Sequence, residues 1–281
     1  MRRYWTVLVD AVDHLSNDDG FALASHVSLT ALMSVFPFLI FVGALAGFIG
    51  EAGLADQVAA LLFETWPDDV AEPIANDVRQ VLTNQSTGLL TVSVLIMIYL
   101  ASNGVEAVRT ALNRAYRVPD TRSFIHLRLQ SVGFVILGAI ASLTLAFVGV
   151  LGPTLFNWAA EHFPNLAPYQ TIFDYARFGV TGVMVIFVLV SAHVWLPAGR
   201  PPLRRLWPGI AVTVVLWSVA AWGFGFYLQR FAHYATYYAG LASVFTALVF
   251  MYLVALIMIF GAELNASLAR IGHRRMASRG M

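Results

Sequence analysis

The placement of the arginines decides what this chain can become. All seventeen basic side chains are arginine, and most of them fall in alternate gaps between six long apolar segments. Arg2 and Arg3 precede the first segment, and Arg109, Arg114, Arg117, Arg122 and Arg128 separate the second from the third. Arg200, Arg204 and Arg205 separate the fourth from the fifth, and Arg270, Arg274, Arg275 and Arg279 follow the sixth. Only Arg79, Arg177 and Arg230 occupy the other gaps. Basic loops stay on the cytoplasmic side during insertion, so alternation of this kind implies a polytopic membrane protein with both ends in the cytoplasm.

Composition agrees with that class and closes off several others. The chain is 59% hydrophobic and 12% charged, too apolar for an ordinary soluble domain. It has no lysine, which excludes a Walker A motif and Schiff-base chemistry. It has no cysteine, which excludes disulfides, thiolate metal sites and a lipidated thiol. The seven histidines come no closer together than His14 and His26, so no paired metal-ligand motif forms, and no G-x-S-x-G elbow is present. The expectation is a protein that is not an enzyme, with no catalytic residue, metal or cofactor. No cleavable signal peptide is expected either, because Asp10 and Asp13 interrupt the opening segment.

Periodicity divides the chain into an N-terminal helix, a membrane domain and a basic tail. Residues 1–20 carry Trp5, Leu8, Val9, Val12 and Leu15 on one stripe, which suits a helix lying in the inner membrane interface. The Asn17-Asp18-Asp19-Gly20 turn ends it. Six transmembrane helices are expected within 21–268: His26–Gly50, Gly88–Ser102, Ser131–Gly152, Phe178–Pro197, Leu206–Leu228 and Gly240–Ala262. The second apolar segment is short, so the helix is expected to continue through Asn103, Glu106 and Arg109 with its polar face turned into the bundle. The loop 51–87 holds seven of the sixteen acidic residues. Two amphipathic stripes in it, broken at Pro67 and Pro73, predict a helical cap on the outer face. The other outer loops are read at Pro153, Trp158, Pro164 and Pro168, and at His233, Tyr234, Tyr237 and Tyr238, while 269–281 forms a basic cytoplasmic tail.

Several residues stand out as candidates for a cavity or transport path. Pro37 interrupts the first span near its middle, and a kink or unwound turn there would free carbonyls to line a cavity. Asn103, Glu106, Glu263 and Asn265 are polar groups in or beside apolar spans, where such groups usually face the bundle interior. Tyr234 and Tyr237 would flank an outer opening. The alternative for each is structural: helix-end anchoring, a packing kink or an interfacial aromatic. Gly43 and Gly47 permit close helix packing without requiring a dimer. The inner arginine clusters, especially Arg109–Arg128, could attract anionic lipid headgroups or nucleic acid, but topology already accounts for them and no nucleic-acid partner is expected.

The closing third resembles a known family. Trp207-Pro208-Gly209, Gly223-Phe224-Gly225-Phe226-Tyr227, the run Tyr234 to Tyr238 and Gly261-Ala262-Glu263-Leu264-Asn265-Ala266 resemble the YihY/BrkB family of bacterial inner-membrane proteins, formerly labelled ribonuclease BN. Ser34-Val35-Phe36-Pro37 likewise looks like that family's S-L-F-P element. The resemblance implies six transmembrane helices and a cytoplasmic-membrane location, and it leaves the activity open.

Together these readings favour a secondary transporter or flippase-like exporter. It would move an amphiphile or small solute among membrane lipids, with Glu106 and Glu263 handling a proton or cation. The competing reading is a non-transporting envelope scaffold whose polar residues only pack helices. A membrane ribonuclease has no residue pattern behind it.

Overall fold

The structure is a computed structural model that describes residues 2–48, 87–199, 201–235 and 241–279. All regular structure in those residues is helical. In chain order it comprises α1 (Arg2–Asn17), α2 (Gly20–Phe48), α3 (Thr87–Tyr116), α4 (Phe124–Ala146) and a π-turn (Phe147–Leu151). Then come α5 (Gly152–His162), a 3-10 turn (Pro164–Tyr169), α6 (Gln170–Trp195), α7 (Leu203–Ala235) and α8 (Leu241–Arg279). The expected outer cap, save Thr87, lies outside the described residues, as does Tyr237.

Four stretches are long and apolar enough to cross a membrane: Phe124–His162, Gln170–Trp195, Leu203–Tyr227 and Val244–Arg270. The described part of the first expected span, His26–Phe48, lies in α2 and the second lies in α3; within α2, Gly20–Ser34 is apolar but shorter. Exposure shows what these helices are built to meet. Ile136, Ile140, Leu143 and Phe147 run along one exposed face of α4 and the π-turn, and Phe178, Val183 and Phe187 along α6. Only 6% of the most apolar window of Phe124–His162 is buried inside the protein. A helix apolar on its outward face is stable when hydrocarbon covers it, since its backbone bonds are satisfied internally.

The packed centre is made of small side chains. Ala107, Ala111 and Ala115 on α3 meet Ala24 and Val27 on α2 and Ala255, Ile259 and Ala262 on α8. Small residues let helix backbones approach closely, which matters in a bilayer because lipid tails remove the hydrophobic drive between helices. The α7–α8 contact is tighter still. A Cβ placed on Gly209 would strike the Gly261 carbonyl, and one on Gly261 would lie 2.9 Å from the Gly209 carbonyl and strike the Thr213 hydroxyl.

Helix α1 lies against α8, burying Val7 and Ala11 with Leu264. Trp5, Leu8, Val9 and Val12 stay exposed, while Leu15 turns inward to the α2–α3–α8 cluster. The expected stripe is therefore shared between two faces. Pro37 and Pro153 both lie within helices. Helix α2 is helical throughout from Gly20 to Phe48, Pro37 included. Pro153, read as part of a loop, stands in the first turn of α5, where a missing N–H costs nothing, so the helix resumes after the π-turn and runs on to His162.

Candidate functional site

The polar side chains converge at one end of the bundle, where the α1–α2 turn, the C-terminus of α3, the α3–α4 loop, the α6–α7 turn and the C-terminal half of α8 meet. Arg117 is the hub. It follows the last helical residue of α3 with φ 56, and the Val118 amide donates to the Asn113 carbonyl at 2.9 Å. That is a helix-ending turn in which glycine is the favoured residue, and a side chain there costs about 1 kcal/mol. The side chain is used. Its Nη2 donates to Glu263 Oε2 at 2.7 Å and lies 3.0 Å from Asp18 Oδ2. One guanidinium thus ties α3 to α8 and to the α1–α2 turn, and it compensates a Glu263 side chain that is only 1% exposed. Asp19, also at positive φ (58), meets Arg114 at 3.4 Å where both side chains are open to solvent.

A second network is centred on Asp120. Arg122 donates to both of its oxygens, Nε and Nη2 each at 2.8 Å, and Asn113 Nδ2 adds a third bond at 2.9 Å. The Arg122 fork, together with the Asn113 amide, holds the Asp120 carboxyl down at about 2, against an ordinary 3.8. The same residues reach across to the α6–α7 turn. Arg122 Nη2 donates to the Leu196 carbonyl at 2.8 Å, and Asn113 Oδ1 accepts from the Ala198 amide at 2.8 Å. Gln130 donates to the Trp195 carbonyl and accepts from Arg122.

Further ties complete this end. Arg128 Nη1 on α4 donates to Asn103 at 3.1 Å and to Glu106 at 3.0 Å on α3, and its guanidinium lies 3.9 Å over the Tyr99 ring. On α8, Arg270 donates to His14 Nε2 at 2.8 Å while His14 Nδ1 meets the Asp10 carbonyl at 2.6 Å. Asn265 bridges α8 to α7, accepting from the Gly209 amide at 2.7 Å and donating to the Leu206 carbonyl at 3.0 Å.

Two spaces flank α3. A charged cleft of about 680 Å³ is lined by Asp18, Asp19, Arg109, Asn113, Arg114, Arg117 and Asp120, with Leu23, Val118, Pro119 and Leu127 among them. An apolar groove of about 600 Å³ lies between α2, α3, α4, α6, α7 and α8. Gly104, Val105 and Val108 line it from α3, Phe134, Gly138 and Ser142 from α4, Val188 and Leu189 from α6, and Trp217 and Met258 from α7 and α8. At about 100° per residue the groove-lining and cleft-lining residues of α3 centre on different sides of the helix. Among the described residues, no three His, Asp or Glu side chains gather as a metal-holding group.

Residues 11–280 match the family model described as virulence factor BrkB. The chain belongs to the BrkB family. It is 27% identical over 250 residues to a putative ribonuclease-like protein, YfkH, of Bacillus subtilis, covering 89% of this chain and 90% of that one. UPF0761 membrane proteins of Legionella pneumophila and Alkalilimnicola ehrlichii are each 25% identical over 96% and 88% of this chain. This BrkB-family chain spans 63% and 54% of the length of those two relatives. No solved structure matches it. Together with its apolar helices, these relationships make it a membrane protein.

The sequence-selected residues of this BrkB-family member divide by location. Asn103 and Glu106 share Arg128, and Glu263 and Asn265 stand four and six positions beyond Ile259 in the packed part of α8. None of these four lines the apolar groove. Pro37 and Tyr234 lie in α2 and α7, and their side chains are outside the described residues, as is Tyr237. Sequence reasoning passed over Asn113 and Asp120 and read Arg117 and Arg122 only as part of a topology-setting basic cluster. One signal pointed to them: Asp120 is the sole acidic residue between Glu106 and Glu161, a lone carboxylate in the most arginine-rich loop.

Proposed function

We propose that the protein is a six-span protein of the bacterial inner membrane, with both ends cytoplasmic, that moves an amphiphile or small solute and is not an enzyme. The apolar groove supports this reading. It is large enough for an acyl chain or a compact apolar body, it lies in a bundle whose outer face suits lipid, and its polar side-chain groups are the hydroxyls of Ser34 and Ser142 and the Trp217 indole, whose N–H is already given to the Val254 carbonyl at 2.9 Å. In this reading the Arg117–Glu263–Asp18 cluster holds the cytoplasmic end of the bundle together, and an amphiphile reaches the groove from the membrane.

Gly138 offers a clean test, because a Cβ there meets nothing within 4 Å. Gly138→Phe fills groove space without striking backbone. Wild type and Gly138→Phe, extracted in native-membrane discs, are compared by mass spectrometry of co-purifying molecules. A defined amphiphile enriched over bulk lipid in wild type, and at least about tenfold depleted in the variant, is the expected result. Identical profiles would replace transport with the scaffold role. Metal-dependent RNA cleavage by the pure protein, lost in a point variant, would overturn the non-enzymatic reading.

A further inference from the structure

The groove reading assigns the charged cleft no ligand, and the cleft's bonding does not balance. Three arginines and three aspartates line it, which would suffice if each carboxylate served one cleft arginine. Asp120 does not. Both its oxygens are taken by Arg122 and one also by Asn113, so Arg109 is left with a 3.6 Å approach from its Nε. Arg109 is nevertheless 9% exposed, and its Nη1 is buried with no hydrogen-bond partner. A buried guanidinium with an idle donor is costly, and an apolar side chain would fill the same space without that penalty.

The opposite wall has spare capacity as well. Arg114 and Asp19 side chains are 58% and 70% exposed at 3.4 Å, a solvated pair of little strength that a competing anion displaces. Arg117 is the exception, since Glu263 and Asp18 both claim it. The surplus of donors therefore lies at Arg109 and Arg114, five positions apart on α3. Leu23, Val118, Pro119 and Leu127 present apolar surface in the same cleft.

We propose that this cleft binds an anionic phosphate ester, with Arg109 and Arg114 as its cationic ligands and the apolar wall against its organic part. A phosphate offers three oxygens to two guanidinia approaching from different turns, whereas a carboxylate offers two in one plane. The ester comes either from a phospholipid headgroup at the membrane surface or from a soluble phosphate. The site does not depend on what the groove carries, so the two proposals fail separately.

The test uses the full chain in discs of zwitterionic phosphatidylcholine, with inorganic phosphate titrated against chloride at constant ionic strength and thermal unfolding as readout. Phosphate raises the wild-type midpoint saturably and chloride does not. Arg109→Lys and Arg114→Gln each raise the half-saturating concentration about tenfold, and Arg204→Gln, on an exposed residue outside the cleft, leaves it unchanged. Arg114 is a surface residue, so its variant keeps the test valid if Arg109→Lys unfolds. Discs containing phosphatidylglycerol separate the sources. Loss of the phosphate effect there, with one more phosphatidylglycerol retained by wild type than by Arg114→Gln in native mass spectrometry, identifies a lipid headgroup. An undiminished phosphate effect identifies a soluble ester. No phosphate effect in phosphatidylcholine with equal lipid retention, or an effect that both variants leave intact, would overturn the proposal.

Discussion

From Ala101 to Val108, α3 gives the groove a wall of Ala101, Gly104, Val105 and Val108, while from Arg109 to Arg117 the same helix carries a series of directed polar contacts. The first region meets the groove by shape, with Asn103 and Glu106 bonded to Arg128 from its other side, and the second is held by bonds with defined partners throughout. In a bilayer the distinction has a physical basis. Apolar helix faces gain little from meeting one another when lipid is the alternative, so small-residue packing supplies cohesion without strongly choosing partners. Charged groups choose. Arg117 can reach Glu263 only if α3, α8 and the α1–α2 turn are in their places, and Arg122 can reach Leu196 only if the α6–α7 turn is beside the α3–α4 loop. The bonded end specifies the arrangement, and the packed region leaves room for a groove.

The sharpest way to break this comparison is Arg117→Ala. It leaves Glu263 buried without its nearest cation, and the expected loss is about 3–5 kcal/mol, read as a lowered unfolding midpoint in mild detergent. Arg117→Gly recovers about 1 kcal/mol of that loss, because glycine accepts the positive φ that alanine does not. Equal stability for wild type and Arg117→Ala would remove the hub from the argument.

Gly261→Ala follows, at about 1–3 kcal/mol from forcing α7 away from α8, measured in the same assay. Asn265→Ala costs about 1–3 kcal/mol by leaving the Gly209 amide and Leu206 carbonyl without their shared side chain. A neutral result would mean the α7–α8 contact stands on glycine packing alone.

The Asp120 network gives a pH dependence of defined sign. Its carboxyl is held at about 2 in the fold, below the ordinary 3.8, so the stabilisation is complete above about pH 4 and is lost as pH falls toward 2. Asp120→Asn should flatten the unfolding midpoint across that window and leave its shape unchanged above it. An unchanged slope in the variant would assign the acid sensitivity elsewhere.

The smallest expected effect is in the groove. Gly138→Leu adds bulk to open space, so stability should stay within about 0.5 kcal/mol of wild type. A large loss would mean that the groove closes in solution and that packing, not vacancy, occupies it.

The sequence made the helices visible because their signal is local. Apolar runs, the Asn17–Gly20 turn and the continuation of α3 through Asn103 and Glu106 all rest on near neighbours. It also offered one reading of the arginines, as markers of topology, and that reading concealed a second. Arg117 and Glu263 are 146 positions apart, and Asn113 and Ala198 are 85 apart, so no periodicity joins them. Pro153 was misread because proline stops a helix in its interior but is welcome in its first turn, and the π-turn that creates a new first turn leaves no mark on composition. Asn103 and Glu106 were expected to turn toward the bundle, where Arg128 does receive them, but pairing with a neighbouring helix and lining a cavity look alike in a single sequence.

Helix α6 inherits an uneven attachment from these contacts. Just beyond its last residues, and at Trp195 itself, it is fastened by Arg122, Asn113 and Gln130 to the α3–α4 segment. Along the groove it offers Met184, Val185, Val188 and Leu189, side chains whose contacts slide without breaking any directed bond. Nearer its start, Arg177 donates to the Gly149 carbonyl at 3.4 Å and Phe173 stacks on Phe156. A rod pinned toward both ends and greased between them bows rather than swings, making the middle of α6 the place where a spectroscopic label should record the widest range of positions.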